Sequence, residues 1–100
     1  MLSDAVVIGR ITEMPEVLQE EEKIVGFMKI EVVRPFRDID GSLIKDTVPV
    51  KLWRGLTEEC IAACSEGMTV AVRGRLETLK SEDGRDLLYV LAEKMVFHLG

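Results

Sequence analysis

Phe36 stands between Arg34 and Arg37 in the stretch VVRPFRDIDG, residues 32–41, just ahead of an Asp-Gly turn. An aromatic ring flanked by guanidinium groups suits a flat, negatively charged ligand. The ring offers a stacking face and the cations meet the charge, which is how single nucleic-acid strands are held. A second such group follows in VKLWRG, where Trp53 lies beside Lys51 and Arg54. Arg73 and Arg75 form a third basic pair at strand spacing, so both face one side. They suit phosphate contact and simple cover of a sheet wall equally well. Phe36 has a competing place at a hairpin base, and Trp53 one beneath the helix that follows it. The two flanking Arg favour exposure of Phe36, and alternation sets Trp53 opposite Val50 and Leu52.

Other reactive side chains lead to less. Cys60 and Cys64 lie four apart, on one face of a helix, but with His98 they fall short of the four ligands of a structural zinc site. Buried free thiols and no metal are expected. The Glu20–Glu22 run reads as a solvated loop, since no paired acidic cluster with ligand spacing accompanies it. There is no Gly-rich phosphate loop, no nucleophile elbow and a single histidine, so neither catalysis nor a cofactor is expected. Tyr89 reads as a barrel-wall aromatic. Phe27 and Phe97 read as core or subunit-interface groups.

The elements that must carry these residues follow from alternation. Residues 4–12, rich in β-branched side chains, read as a first strand, and the acidic stretch to Glu22 as a loop. Residues 23–33 form a second strand with Ile24, Met28, Ile30 and Val32 inward. Residues 46–53 form a third, with Val48, Val50 and Leu52 on one face and Thr47, Pro49, Lys51 and Trp53 on the other. The only helix is expected over 56–67, with Thr57 as N-cap, Glu58 and Glu59 at its positive end, Gly67 as stop, and Leu56, Cys60, Ile61 and Cys64 as its apolar stripe. Two more strands, 68–80 with Val70, Val72 and Leu76 inward and 86–99, meet at the Asp83-Gly84 hairpin. Five strands with a helix between the third and fourth predict a mostly β fold, a five-stranded Greek-key barrel of the OB type. A strand-rich α+β sandwich is the alternative.

With 100 residues, 47% of them apolar, the chain reads as a single folded domain over 1–100. No apolar run is long enough for a membrane span and no leader pattern opens the sequence, so a cytoplasmic, nucleoid-associated protein is expected. The net charge of −5 argues against nucleic-acid binding, but the charge is sorted. Residues 13–22 carry acids alone, whereas Arg34, Arg37, Lys45, Lys51 and Arg54 dominate residues 34–54.

The stretches VVIGRITEMPE, VVRPFRDIDG, VKLWRGLTEECIAACSEGMTVAVRGRLET and SEDGRDLLYVLAEKMVFH cover nearly the whole chain. In that order they resemble the bacterial single-stranded DNA-binding protein family, to which the primosomal protein N branch is similar in shape. The resemblance implies non-enzymatic binding of single-stranded DNA in replication, repair or recombination. It sets Phe36 and Trp53 at stacking positions and Arg37 at the basic position after the first. Two family aromatics are replaced, by Thr47 and Ser81, which implies weaker binding. No acidic, Phe-ended tip occurs before Gly100, so enzyme recruitment through such a tip is not expected of these residues. The expected contacts are Phe36 and Trp53 for bases, and Arg34, Arg37, Lys51, Arg54, Arg73 and Arg75 for phosphates. Resemblance and the outer-face positions of Phe27, Val33 and Phe97 together imply a homo-oligomer, a tetramer or dimer. A protein-interaction subunit of a primosome-like or recombination accessory complex is the alternative function.

Overall fold

The computed structural model describes residues 4–20 and 23–97. Its elements are β1 (Asp4–Glu20), β2 (Lys23–Arg37), β3 (Leu43–Trp53), α1 (Arg54–Ala63), β4 (Thr69–Lys80) and β5 (Asp86–Val96). The strands close into a barrel in the order β1-β2-β3-β5-β4. All neighbours are antiparallel except β3 and β5, which run parallel where Val50 meets Val90 and Lys51 meets Leu91. This is the expected OB architecture, with its one helix between β3 and β4. No helix among the described residues is long and apolar enough to cross a membrane.

Alternation builds the core. Ile11, Met28, Ile30, Val50, Leu52, Val70, Val72, Val90 and Ala92 point inward, and Cys60 and Cys64 close the barrel from the helix. Closure requires a glycine at 74. A Cβ there would lie 1.9 Å from the carbonyl oxygen of Leu91, so β4 and β5 could not approach as they do. A register irregularity at Arg73/Gly74 marks the place where β4 bends.

Several expectations are corrected. The acidic stretch is not a loop: β1 continues to Glu20 and pairs with β2, Glu16 opposite Phe27 and Val17 opposite Gly26. Irregularities between Ile11 and Glu16 absorb Pro15, and the exposed Glu13 meets Lys29 at 3.5 Å. β2 and β3 also run further than alternation suggested, to Arg37 and from Leu43, because they pair as a hairpin arm beyond the barrel. The helix begins at Arg54 and ends at Ala63. Thr57 is therefore an interior residue, 2% exposed. Its Oγ1 donates to the carbonyls of Trp53 and Leu52 at 2.9 and 3.2 Å, and Trp53 occupies the cap position. The helix stops before Gly67, whose positive φ serves the following turn, and its first turn carries no acidic residue. Ile61 is exposed, not part of the apolar stripe, and Leu76 is exposed because the β4–β5 hairpin leaves the barrel beyond Gly74. The side chains of Glu20–Glu22 and Ile24, and His98, lie outside the described residues.

Candidate nucleic-acid interface

Lys51 and Trp53 leave the outer face of β3, as alternation requires when Val50 and Leu52 face the core. Across the barrel wall, Phe27 on β2 pairs with Lys51, Lys51 with Leu91 on β5, and Leu91 with Arg75 on β4. The register thus aligns four residues across four strands, the buried Leu91 among them. Lys51 Nζ lies 5.3 Å from the centroid of the Trp53 ring, 5.6 Å from Phe27 and 5.9 Å from Tyr89. Phe27 and Tyr89 meet edge to face at 6.2 Å. Tyr89 donates its hydroxyl to Glu77 Oε1 at 2.9 Å, and Glu77 Oε2 lies 3.8 Å from Arg75 Nη2. The result is a continuous aromatic and charged surface from Trp53 to Arg75. Trp53 is 41% exposed within it, as expected of a residue that does not pack beneath the helix.

Phe36 occupies a different place. It is 59% exposed near the end of the β2 arm. β2 between Val25, the partner of Trp53, and Phe36 spans at most about 36 Å of extended chain. Phe36 thus stands eleven positions along β2 from the partner of Trp53, on the arm rather than on the barrel wall. Beside Phe36, Arg37 donates from Nη1 to the carbonyl of Gly41 at 2.9 Å, closing the turn with its own backbone. Arg34 forms a two-pronged pair with Asp46, at 2.7 Å from Nε and 2.9 Å from Nη2. Those hydrogen bonds, with the charge of the guanidinium, hold the Asp46 carboxyl below its ordinary range and raise the Arg34 guanidinium further.

The remaining cations are dispersed. Arg54 opens the helix and pairs with Glu58 at 2.9 Å. Arg73 pairs with Asp4 at 4.0 Å, on the wall where its strand partner is the exposed Val6. Arg73 and Arg75, adjacent in the sequence pattern, thus join different neighbourhoods. Phe27 and Tyr89 are the residues that the sequence reading missed at this surface. Outward Lys29 and Glu31 already set the parity of β2, and Phe27 shares it. Tyr89 is likewise out of phase with inward Val90. Phe97, read as a core or subunit-interface group and given an outer-face position, packs against the core.

Cys60 and Cys64 are buried free thiols. Loss of water around Cys60, chiefly, with the neighbouring Cys64 adding to it, pushes its pKa up to about 12, and burial raises Cys64 also. No group of three or more metal-ligating side chains occurs among the described residues.

Comparison with known proteins gives this surface a context. The chain is 29% identical over 84 residues to single-stranded DNA-binding protein B of Bacillus subtilis, covering 83% of this chain and 74% of that protein. It is 28% identical over 91 residues to single-stranded DNA-binding protein 1 of Streptococcus pyogenes, covering 90% and 70%. Among solved structures, a small single-stranded DNA-binding protein from Streptomyces coelicolor superposes with a TM-score of 0.77 at 15% identity, over 99% of this chain and 95% of the other. A Plasmodium falciparum SSB in complex with ssDNA gives 0.80 at 16% identity, over 98% and 96%. At those identities the superpositions speak for the fold, and they agree on the barrel. The model of the single-strand binding protein family matches residues 2–97, and the chain belongs to that family.

Proposed function

We propose that the chain binds single-stranded DNA with little sequence preference and no enzymatic step, in replication, repair or recombination. Bases stack on Trp53 and Phe36, and Arg34, Arg37, Lys51, Arg54, Arg73 and Arg75 supply phosphate contacts. The observation that carries this reading is the exposed Trp53 with the Lys51 ammonium over its ring, on the outer face of the β2–β3–β5 wall. Stacking is indifferent to base identity because every base has a π-face. The test is a titration of Trp53 emission with oligo(dT) across a salt series. Saturable quenching that weakens with salt is expected, along with much weaker binding of duplex DNA of equal length. Unchanged emission at low salt, with no complex by a second method, would remove the proposal.

A homo-oligomer, dimer or tetramer, is part of this reading. Val6 and Ile8 on β1 are 65% and 58% exposed, and Val33 stands exposed on the β2 arm. Apolar side chains on an outer sheet face gain by meeting a second copy. Sedimentation showing only monomer at micromolar concentration would contradict it. A protein-interaction subunit is the second reading. It draws on the β4–β5 hairpin, where Leu79, Leu87 and Leu88 are all more than half exposed and could anchor a protein partner.

A further inference from the structure

The three rings around Lys51 come from three different strands, β2, β3 and β5, and meet only because the barrel closes. An ammonium within 6 Å of three ring centroids is held by the negative faces of the π-systems. The arrangement is a cation cage whose cation is built in. If the rings served only to pack, they would be covered. Instead Phe27 and Tyr89 are half-buried on an outward face and Trp53 is more open still.

We infer that Phe27 and Tyr89 are base-stacking surfaces that join Trp53 in one three-ring platform for neighbouring nucleobases, with Lys51 as its positioning residue. This deepens the single-strand reading and rests on it. Phe27 and Tyr89 stand at 68° to each other, so one flat base cannot lie on both, and the platform takes more than one base. In the free protein the ammonium lies over the rings and orders them. When a strand arrives, a base takes its place on the ring, and the flexible stem lets the charge swing to a phosphate. Glu77 fixes the far side by accepting the Tyr89 hydroxyl, and it draws Arg75 to the platform edge. Among the described residues, the only buried side-chain nitrogen or oxygen without a hydrogen-bond partner is Arg75 Nε.

Two measurements on the full chain test this. In the first, Trp53 emission and a second binding method follow oligo(dT) at low salt for the wild type, F27L and Y89L, with folding checked by circular dichroism. Each Leu variant is expected to lose at least about five-fold in affinity, the lower end of what one stacked base contributes. If the wild type binds and both folded variants bind within two-fold of it, the inference falls while the single-strand reading stands. If the wild type does not bind, both fall. In the second, K51A is titrated with ethylammonium chloride against sodium chloride at equal ionic strength, without DNA. A saturable change in Trp53 emission, specific to ethylammonium, present in K51A and absent from the wild type and from K51R, is expected of an emptied cage. Identical responses of K51A to the two salts would overturn the positioning role of Lys51, and this measurement decides if F27L fails to fold.

Discussion

Arg34 and Asp46 face each other across the β2–β3 arm, joined by two parallel hydrogen bonds of 2.7 and 2.9 Å. A phosphate that approaches Arg34 must compete with a carboxylate that already fills its fork. D46N removes that competitor and keeps the shape. The variant is expected to bind oligo(dT) more tightly than the wild type and to show a steeper salt dependence, since one more cation is open to phosphate. Weaker binding by D46N would mean that Asp46 orients Arg34 for the ligand. The pH sign follows from the lowered carboxyl: the pair contributes above the ordinary Asp pKa of 3.8 and is lost only as pH falls through the lower folded value. Lowering the pH from 8 to 5 should therefore not reproduce the effect of D46N.

Phe36 stands on the β2 arm and Trp53 on the barrel wall, and this has a measurable consequence. F36A and W53A are each expected to cost about 1–3 kcal/mol in binding a long oligonucleotide. Substitutions more than about 7–10 Å apart usually add. The double variant should lose the sum of the two on an oligonucleotide that spans both patches. On a very short oligonucleotide the two losses should not combine. A strong coupling between them on short DNA would contradict the separation.

R37A is expected to weaken binding similarly for all sequences and to make the salt slope shallower by about one unit, as for loss of a single phosphate contact. Its hydrogen bond to the Gly41 carbonyl adds a structural component. R37K, which keeps the charge and loses the fork, separates the two: it should retain the salt slope. A full loss of slope in R37K would assign Arg37 to the turn alone.

Cys60, with its pKa near 12, is a poor nucleophile at neutral pH. Native protein should label far more slowly than the same thiols after denaturation, and two free thiols per chain should then be counted. Because the folded pKa is raised, the stability that accompanies the buried neutral thiol is complete below 9.0. It declines as pH rises from there towards about 12. Fast labelling of native protein at pH 7 would refute the burial.

G74A places a methyl group against the Leu91 carbonyl, which is backbone and cannot step aside. A loss of stability of about 2–3 kcal/mol is expected by chemical denaturation. Wild-type stability in G74A would show that β4 and β5 do not pair so closely.

The barrel was legible because Val48, Val50 and Leu52, or Val70 and Val72, sit at every second position, and a half-buried strand can be read from its period alone. The hairpin arms were not legible. Arg34–Arg37 are exposed throughout and Leu43–Lys45 hold only the half-buried Ile44, so what makes them strand is pairing across the arm, a tertiary fact. Thr57 misled because its hydroxyl does bond to backbone at the helix start, but backwards, to carbonyls, rather than forwards to amides. Of the proposed contacts, Trp53 and Lys51 were correctly read as neighbours on one face. That Phe27 and Tyr89 join them depends on barrel closure, which no local pattern encodes.

Trp53 ends β3 and stands at the cap of α1, with its carbonyl held by Thr57 from within the helix. There is no loop at this junction, hence no joint about which the indole could swing on its backbone. A pull on the ring passes straight into Leu52 and the barrel interior on one side and into the helix on the other. The surface is anchored like a bracket bolted at both ends, and a ligand that grips it loads the whole fold at once.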